Sequence, residues 1–185
     1  MLHTLIVSGH TDLHNSVANR RILDTLEREL PGAEVLRLDA LYTNKPIDVP
    51  TEQDRLRRAD VIVFQFPLFW FNIPSLLQRW MEEVWLHGFS HGTNGHALKD
   101  KKLLLSLTTG APAEVYTPQG ADAPDFSAMM QNLCTAAGFT GLEFAGIEST
   151  CGVSYALHTD PAQLAAIEAK ADAHAQRLIA RLQSL

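Results

Sequence analysis

The chain is short of cysteine, of positive charge and of long apolar runs, and each shortage closes off a class of protein. Its two cysteines, Cys134 and Cys151, stand far apart and form no C-x-x-C, and a chain of 185 residues builds a core without a disulfide staple. Reduced thiols and a cytoplasmic location are expected. Lys and Arg number 15 against 21 Asp and Glu, a formal charge of −6. Phosphate backbones recruit basic patches, so nucleic acid is not an expected partner. No apolar run approaches the roughly 18 residues that a membrane-spanning helix needs. The opening "LHTLIVSGH" is too short to span and lacks a basic n-region and a cleavage pattern, so the chain is not expected to be membrane-embedded. Three motifs are also missing. Without G-x-G-x-x-G a dinucleotide held in the Rossmann manner is not expected; without G-x-x-x-x-G-K-[ST], nor is P-loop hydrolysis; without G-x-S-x-G, nor is an α/β-hydrolase triad. His87, His91 and His96 share the loop "HGFSHGTNGH", but no cysteine or second cluster joins them, so no metal site is expected.

What the chain does have is alternation. Apolar residues make up 46% of it and charged residues 19%, a globular balance. Continuous apolar runs at 2–8, 33–38, 60–66, 101–108 and 142–148 read as buried strands. Helical spacing fills the intervals. Ser16 to Leu30 carries Val17, Ile22, Leu23, Leu26 and Leu30 on one face, and Pro31-Gly32 stops it. Thr51 with Asp54 reads as the cap of a short helix ending near Ala59, after an irregular stretch from Asp39 to Pro50. Pro74 reads as the first residue of a helix to about Leu86. A helix from about Asp125 to Ala137 closes on Gly138, and Asp160-Pro161 opens the last one. Glu82 and Glu83 read as a solvated face and Cys134 as helix packing.

Buried strands alternating with helices imply a single domain over 1–185, an α/β three-layer α/β/α sandwich around a doubly wound five-stranded parallel sheet. Such sheets bind ligands at the carboxyl ends of their strands, where the strand order reverses. The loops at 10–15, 67–73, 109–123 and 149–158 fall there, and the first three carry candidate chemistry. The first, "SGHTDLHNSVANRR", runs into a helix start, whose free N–H groups and partial positive charge suit a phosphate; Ser16 and Asn19 add a hydroxyl and an amide. A bare helix cap is the alternative for Ser16. The second, Pro67-Leu68-Phe69-Trp70-Phe71-Asn72, carries aromatics that suit either a flat heterocycle or a core or dimer contact. The third, "TTGAPAEVY", sets small residues where backbone N–H groups can approach a ligand, with Tyr116 as a proton donor or stacking wall. Together the loops suit the head and ring of a flavin mononucleotide.

At these residues the chain resembles the flavodoxin-like NAD(P)H:quinone oxidoreductases. That family takes in the mammalian quinone reductases, the bacterial modulator of drug activity B and the ancillary oxidoreductases of glutathione-gated potassium efflux systems. The most specific stretch, "FQFPLFWFNIPSLLQRWMEEVWLHGFSHG", is similar to the family's F-P-x-x-W-x-x-P-x-x-L-K-x-W-x-D-x-V-x-x-x-G-x-A-x-G, and "GH…NSVAN" and "TTGA" match its other cofactor loops in order. The resemblance implies that His10, Ser16, Val17, Ala18 and Asn19 hold a flavin phosphate. It implies that Pro67, Leu68, Phe69 and Trp70 run along the ring and ribityl chain, mainly by backbone. Thr108, Thr109, Gly110 and Ala111 would touch the ring's polar edge, and Tyr116 matches a catalytic tyrosine. Ala111 replaces a glycine of the common T-T-G-G, and Asp122 stands where the mammalian enzymes carry a histidine, so a Tyr–His relay does not carry over.

The resemblance implies hydride transfer from NAD(P)H to quinones or similar acceptors by a ping-pong course, with FMN (or FAD) bound. It leaves NADH against NADPH open. The rivals are a flavin-binding regulatory subunit of a glutathione-gated potassium efflux system and a bare electron carrier. Trp80, Trp85 and Phe89 crowd the helix after the aromatic turn, and with the family's dimers in view a homodimer meeting in this region is expected.

Overall fold

Parallel pairing joins the apolar runs into one sheet in the computed structural model, which describes residues 2–185. The strands are β1 (Thr4–Ser8), β2 (Glu34–Arg37), β3 (Val61–Pro67), β4 (Lys102–Thr108) and β5 (Glu143–Thr150). The helices are α1 (Val17–Glu29), α2 (Leu38–Tyr42), α3 (Val49–Arg58), α4 (Ser75–Val84), α5 (Phe126–Met129), α6 (Gln131–Thr140) and α7 (Pro161–Gln183). The sheet order is β2-β1-β3-β4-β5, every pair parallel. Two cores result, one per face. Phe64, Phe66, Leu103, Leu105 and Leu107 pack with Leu56, Leu77, Trp80 and Leu133 of α3, α4 and α6. Ile6, Val63 and Leu104 pack with Ile22, Leu26, Ala171 and Leu178 of α1 and α7. This is the expected doubly wound sandwich, and its strand order reverses between β1 and β3.

Several boundaries differ from the sequence reading, each for a local reason. The cap of α3 is Asp48, whose carboxylate accepts from Thr51 N at 3.3 Å, and Pro50 fills the first turn, where its missing N–H costs nothing. The stretch after Arg37 is not wholly irregular: α2 buries Leu38 and Tyr42, one turn apart. Pro74 is the cap of α4 rather than its first residue. The helix expected from Asp125 is broken at Met130 into α5 and α6, and α6 runs past Gly138 to Gly141, whose φ of 77° closes it in the left-handed region. A register shift opposite Leu103/Leu104, with Gly146 at φ 106°, bulges β5.

The crowded aromatics after the turn pack into the core. Trp80 is fully buried and gives its indole N–H to Glu52 Oε2 at 3.1 Å, Phe89 is buried, and Trp85 lies partly buried against Phe64 at 6.0 Å. Their crowding fills the α3/α4 face and carries no argument for a dimer.

Candidate functional site

The first loop leaves β1 at Gly9, where a Cβ would meet Leu77 Cβ at 2.8 Å; only glycine lets the strand end lie this close to α4. His10 follows and is buried. Its Nδ1 accepts from Asp12 N at 3.0 Å, which places the ring proton on Nε2. Burial holds its pKa below the ordinary value, with Asp39 and Asp12 pulling the other way. Asp39 Oδ2 accepts from Leu13 N at 2.9 Å and so ties the loop to α2. The chain then enters α1 at the buried cap Ser16, whose Oγ accepts from Asn19 N at 3.3 Å and from Asn19 Nδ2 at 3.2 Å. Val17, Ala18 and Asn19 form the first turn, and by helix geometry the N–H groups of Val17 and Ala18 have no intrahelical acceptor.

The second loop follows β3. Pro67 and Leu68 are buried. Phe69 and Asn72 close a two-residue turn with reciprocal bonds of 3.0 Å, and its central residues take φ 50° at Trp70 and 61° at Phe71. Left-handed backbone costs an L-residue about 1–2 kcal/mol, and neither position is glycine. The surroundings hold the strain: Asn72 Oδ1 accepts from Ile73 N at 2.8 Å, and the Phe71 ring meets Tyr116 at 5.9 Å. The turn leaves Trp70 96% exposed. Phe69 and Phe71 are also exposed, which removes the core reading of these rings. Main-chain recognition by Leu68 and Phe69 is restricted, because the Leu68 N–H goes to Thr108 O at 2.8 Å and the Phe69 N–H to Asn72 O.

In the third loop Thr108 and Thr109 are buried. Thr109 N donates to Thr150 O, and Ala111 O accepts from Gly152 N, each at 2.9 Å, so the loop is zipped to the segment after β5. The N–H groups of Gly110 and Ala111 carry no such bond. A Cβ on Gly110 would meet nothing nearer than Ser154 at 3.6 Å, so the protein's own packing does not demand glycine there. Tyr116 ends a short 3-10 turn, buried against Phe126 at 5.4 Å.

The three loops meet. His10 contacts Phe69 edge-on at 5.8 Å, Phe71 contacts Tyr116, and Thr108 Oγ1 donates to Asn19 Oδ1 at 3.2 Å. All the sequence candidates therefore gather at one sheet edge, at the β1/β3 reversal. A flavin, the group this fold implies, is matched by these residues. A helix start and a hydroxyl suit its phosphate, the buried Ser8 Oγ there lacks a protein partner, and unspent N–H groups at Gly110 and Ala111 suit a polar ring edge. In the Gly-rich loop His87 and His91 lie edge-on at 5.6 Å, His91 Nδ1 is 2.9 Å from Ser90 Oγ, and His96 Nε2 is 3.2 Å from Thr93 O. A cleft of about 500 Å³ between α1 and α7, lined by Arg21, Asp24, Arg28 and Asp172, lies away from the sheet edge. Its Arg21–Asp172 pair at 2.6 Å neutralises itself.

Sequence reasoning missed Gln65, Ser106 and His174, which form buried polar contacts behind the first loop, and Asp39, which anchors it. The available signal was a lone polar residue inside each apolar run, and a histidine on the inner face of the last helix.

Residues 2–178 match the family model described as flavodoxin-like fold. A curated relative, the glutathione-regulated potassium-efflux system ancillary protein KefF of Enterobacter sp. (strain 638), is 39% identical over 140 residues, 76% of this chain and 78% of the relative. Among solved structures, general stress protein 14 of Treponema denticola in complex with FMN has a TM-score of 0.82 at 28% identity, covering 97% of this chain and 99% of the other. A thermophilic tryptophan halogenase of Streptomycin violaceusniger has a TM-score of 0.78 at 32%, covering 92% and 96%. An NADPH-quinone reductase of P. pentosaceus has 0.72 at 25%, covering 96% and 97%. With its 2-1-3-4-5 sheet and its three loops at the strand reversal, the chain belongs to the flavodoxin-like fold family.

Proposed function

We propose that the protein is a flavin-dependent oxidoreductase that takes hydride from NAD(P)H and passes it to quinones or similar small acceptors, by a ping-pong course. FMN is the favoured flavin, as in the bound neighbour. When bound, the flavin supplies the hydride chemistry itself. Ser16, the N–H groups of Val17 and Ala18, and the His10 Nε2–H hold its phosphate. The N–H groups of Gly110 and Ala111 serve the polar edge of its ring. Phe69, Trp70, Phe71 and Tyr116 wall the open side, exclude water and offer flat surfaces to donor and acceptor in turn. The carrying observation is that the three loops are held together by the His10–Phe69, Phe71–Tyr116 and Asn19–Thr108 contacts. The named neighbours span different activities, so the site and not the fold supports the reaction.

Both cysteines are free, in keeping with a cytoplasmic setting. Exposed Trp70, Phe71 and Val115 near Tyr116 support a homodimer that completes the site. Purified protein reconstituted with FMN should turn yellow, gain thermal stability and oxidise NAD(P)H with a soluble quinone. Colourless protein with both FMN and FAD defeats the reading, and a fully active monomer by light scattering removes the dimer.

A second reading rests on the potassium-efflux relative: the same flavin domain would act as an ancillary subunit on a membrane transporter. No helix of the described residues is long and apolar enough to cross a membrane, so that role needs a separate transporter chain, and co-purification with one tests it.

A further inference from the structure

Behind the phosphate loop, a line of polar side chains crosses the core between the sheet and helices α1 and α7. Arg177 Nη2 lies 2.9 Å from Thr150 Oγ1, and Thr150 Oγ1 lies 2.9 Å from His174 Nδ1. His174 Nε2 lies 2.7 Å from Ser106 Oγ, which is bonded to Gln65 Oε1. Gln65 Nε2 donates to Asn19 Oδ1 at 2.9 Å, and Asn19 Nδ2 donates to Ser16 Oγ at 3.2 Å. His174, Ser106 and Gln65 are wholly buried.

The donor inventory allows this line two senses, and the one that runs from Arg177 leaves its single unspent proton on Ser16, where a phosphate can take it, rather than on Thr150. Arg177 has no acceptor atom, so it donates to Thr150. Thr150 then gives its hydroxyl proton to His174 Nδ1. His174 is neutral, because burial first and the nearby Arg177 charge second push its pKa down to about 3. A neutral ring carries one proton, here on Nε2, and donates it to Ser106. Ser106 spends its single proton on Gln65 Oε1, which turns the Gln65 amide N–H toward Asn19. Asn19 Oδ1 takes that bond and the Thr108 hydroxyl, so its Nδ2 faces Ser16. Ser16 Oγ thus accepts from Asn19 N and Nδ2, and its own proton stays unspent. The opposite sense consumes the Ser16 proton on Asn19. It also leaves Thr150 accepting from both Arg177 and His174, with its own proton stranded.

We propose that this one-way hydrogen-bond line, with His174 as its positioning residue, presets the Ser16 hydroxyl as a donor to the phosphate of the cofactor. The inference rests on the flavin reading above and adds that affinity for the phosphate is set from residues remote from it. Arg177 is itself fixed by Glu148 Oε1 at 2.6 Å, so the line begins at a charge held in place at the far side of β5.

The test compares FMN with riboflavin, which shares the ring and lacks the phosphate, by fluorescence titration of the full chain. Ser106→Ala cuts the line without touching the phosphate loop. It should weaken FMN about tenfold and leave riboflavin within about twofold, the loss of one well-aimed bond to a charged group. His174→Leu should do the same. In His174→Gln an amide N–H stands in for Nε2–H, and the FMN preference should survive. Nitrogen-15 spectra of the wild type should show His174 as the Nε2–H tautomer. A fall in thermal stability of Ser106→Ala and His174→Leu with an unchanged FMN-to-riboflavin ratio would reduce the line to packing, and an Nδ1–H tautomer would reverse its sense; either overturns the proposal. If neither flavin binds the wild type, the flavin reading alone falls. Inorganic phosphate titrated against the Ser16 amide signal then decides, and the proposal stands only if Ser106→Ala weakens that response.

Discussion

On the proposed flavin reading, Ser16 and Phe69 divide recognition at the site between a hydroxyl and a ring. The Phe69 N–H and C=O are both closed on Asn72, so a substitution there keeps the turn's backbone bonds and removes the ring with its contact to His10. If the flavin reading holds, Ser16→Ala removes a bond to a charged phosphate, worth roughly 1.5–3 kcal/mol, and should weaken FMN ten- to more than a hundredfold. It also removes a helix cap, worth about 1 kcal/mol of stability. Phe69→Gln should hold FMN within a few-fold while changing which acceptors are reduced. Flavin fluorescence titrations and an acceptor panel check both; release of flavin by Phe69→Gln but not by Ser16→Ala would move the phosphate out of the first loop. The Ser16 helix cap was legible because it stands at a strand-to-helix junction. Gln65 and Ser106 were not, since a single polar residue in an apolar strand gains meaning only when strand register sets it beside Asn19 and His174.

Among the elements, α3 and α4 are joined through one buried carboxylate. Glu52 is fully buried and accepts from Tyr42 OH, Arg55 and Trp80 Nε1. Burial of the Tyr42 hydroxyl and its bond to Glu52 push the tyrosine pKa up to about 12. Glu52→Ala leaves an indole N–H, a phenol and a guanidinium without this partner, and should destabilise the fold by about 3 kcal/mol; urea unfolding midpoints measure it. Glu52→Gln keeps an acceptor for Trp80 and should cost less. Periodicity located α3 but misplaced its start, because Thr51 and Asp48 are both competent caps and only Pro50 in the first turn decides between them. The single turn of α2 buries two residues, Leu38 and Tyr42, and is too short for any periodic signal.

For the whole molecule, alternation of strand and helix was enough to foretell the doubly wound sandwich, because continuous apolar strands need helices on both faces. The crowding of Trp80, Trp85 and Phe89 was misread as more than one core needs, since counting aromatics says nothing about which face of the sheet receives them. Stability against acid is a further property of the whole chain. The folded pKa of His174 lies at about 3 against an ordinary 6.5. The unfolded chain therefore binds a proton that the folded chain refuses. The stability this preserves is complete above about pH 6.5 and is lost as pH falls toward 3, by up to roughly 1.4 kcal/mol per pH unit. Chemical denaturation at about pH 7.5 and pH 5 should show the wild type losing about 2 kcal/mol more than His174→Gln. Equal losses would mean that the imidazole is protonated in the fold.

The strained turn also gives the molecule an optical asymmetry. Of the three tryptophans, Trp80 is wholly buried and Trp70 is 96% exposed on a backbone that holds its position. Emission from Trp70 should lie at the red edge of the spectrum and be quenched by iodide, while Trp80 emits to the blue and is shielded. Anything seated against the mouth of the site would shift the red component alone, so occupancy can be followed without a label, and a Trp70→Phe variant supplies the blank.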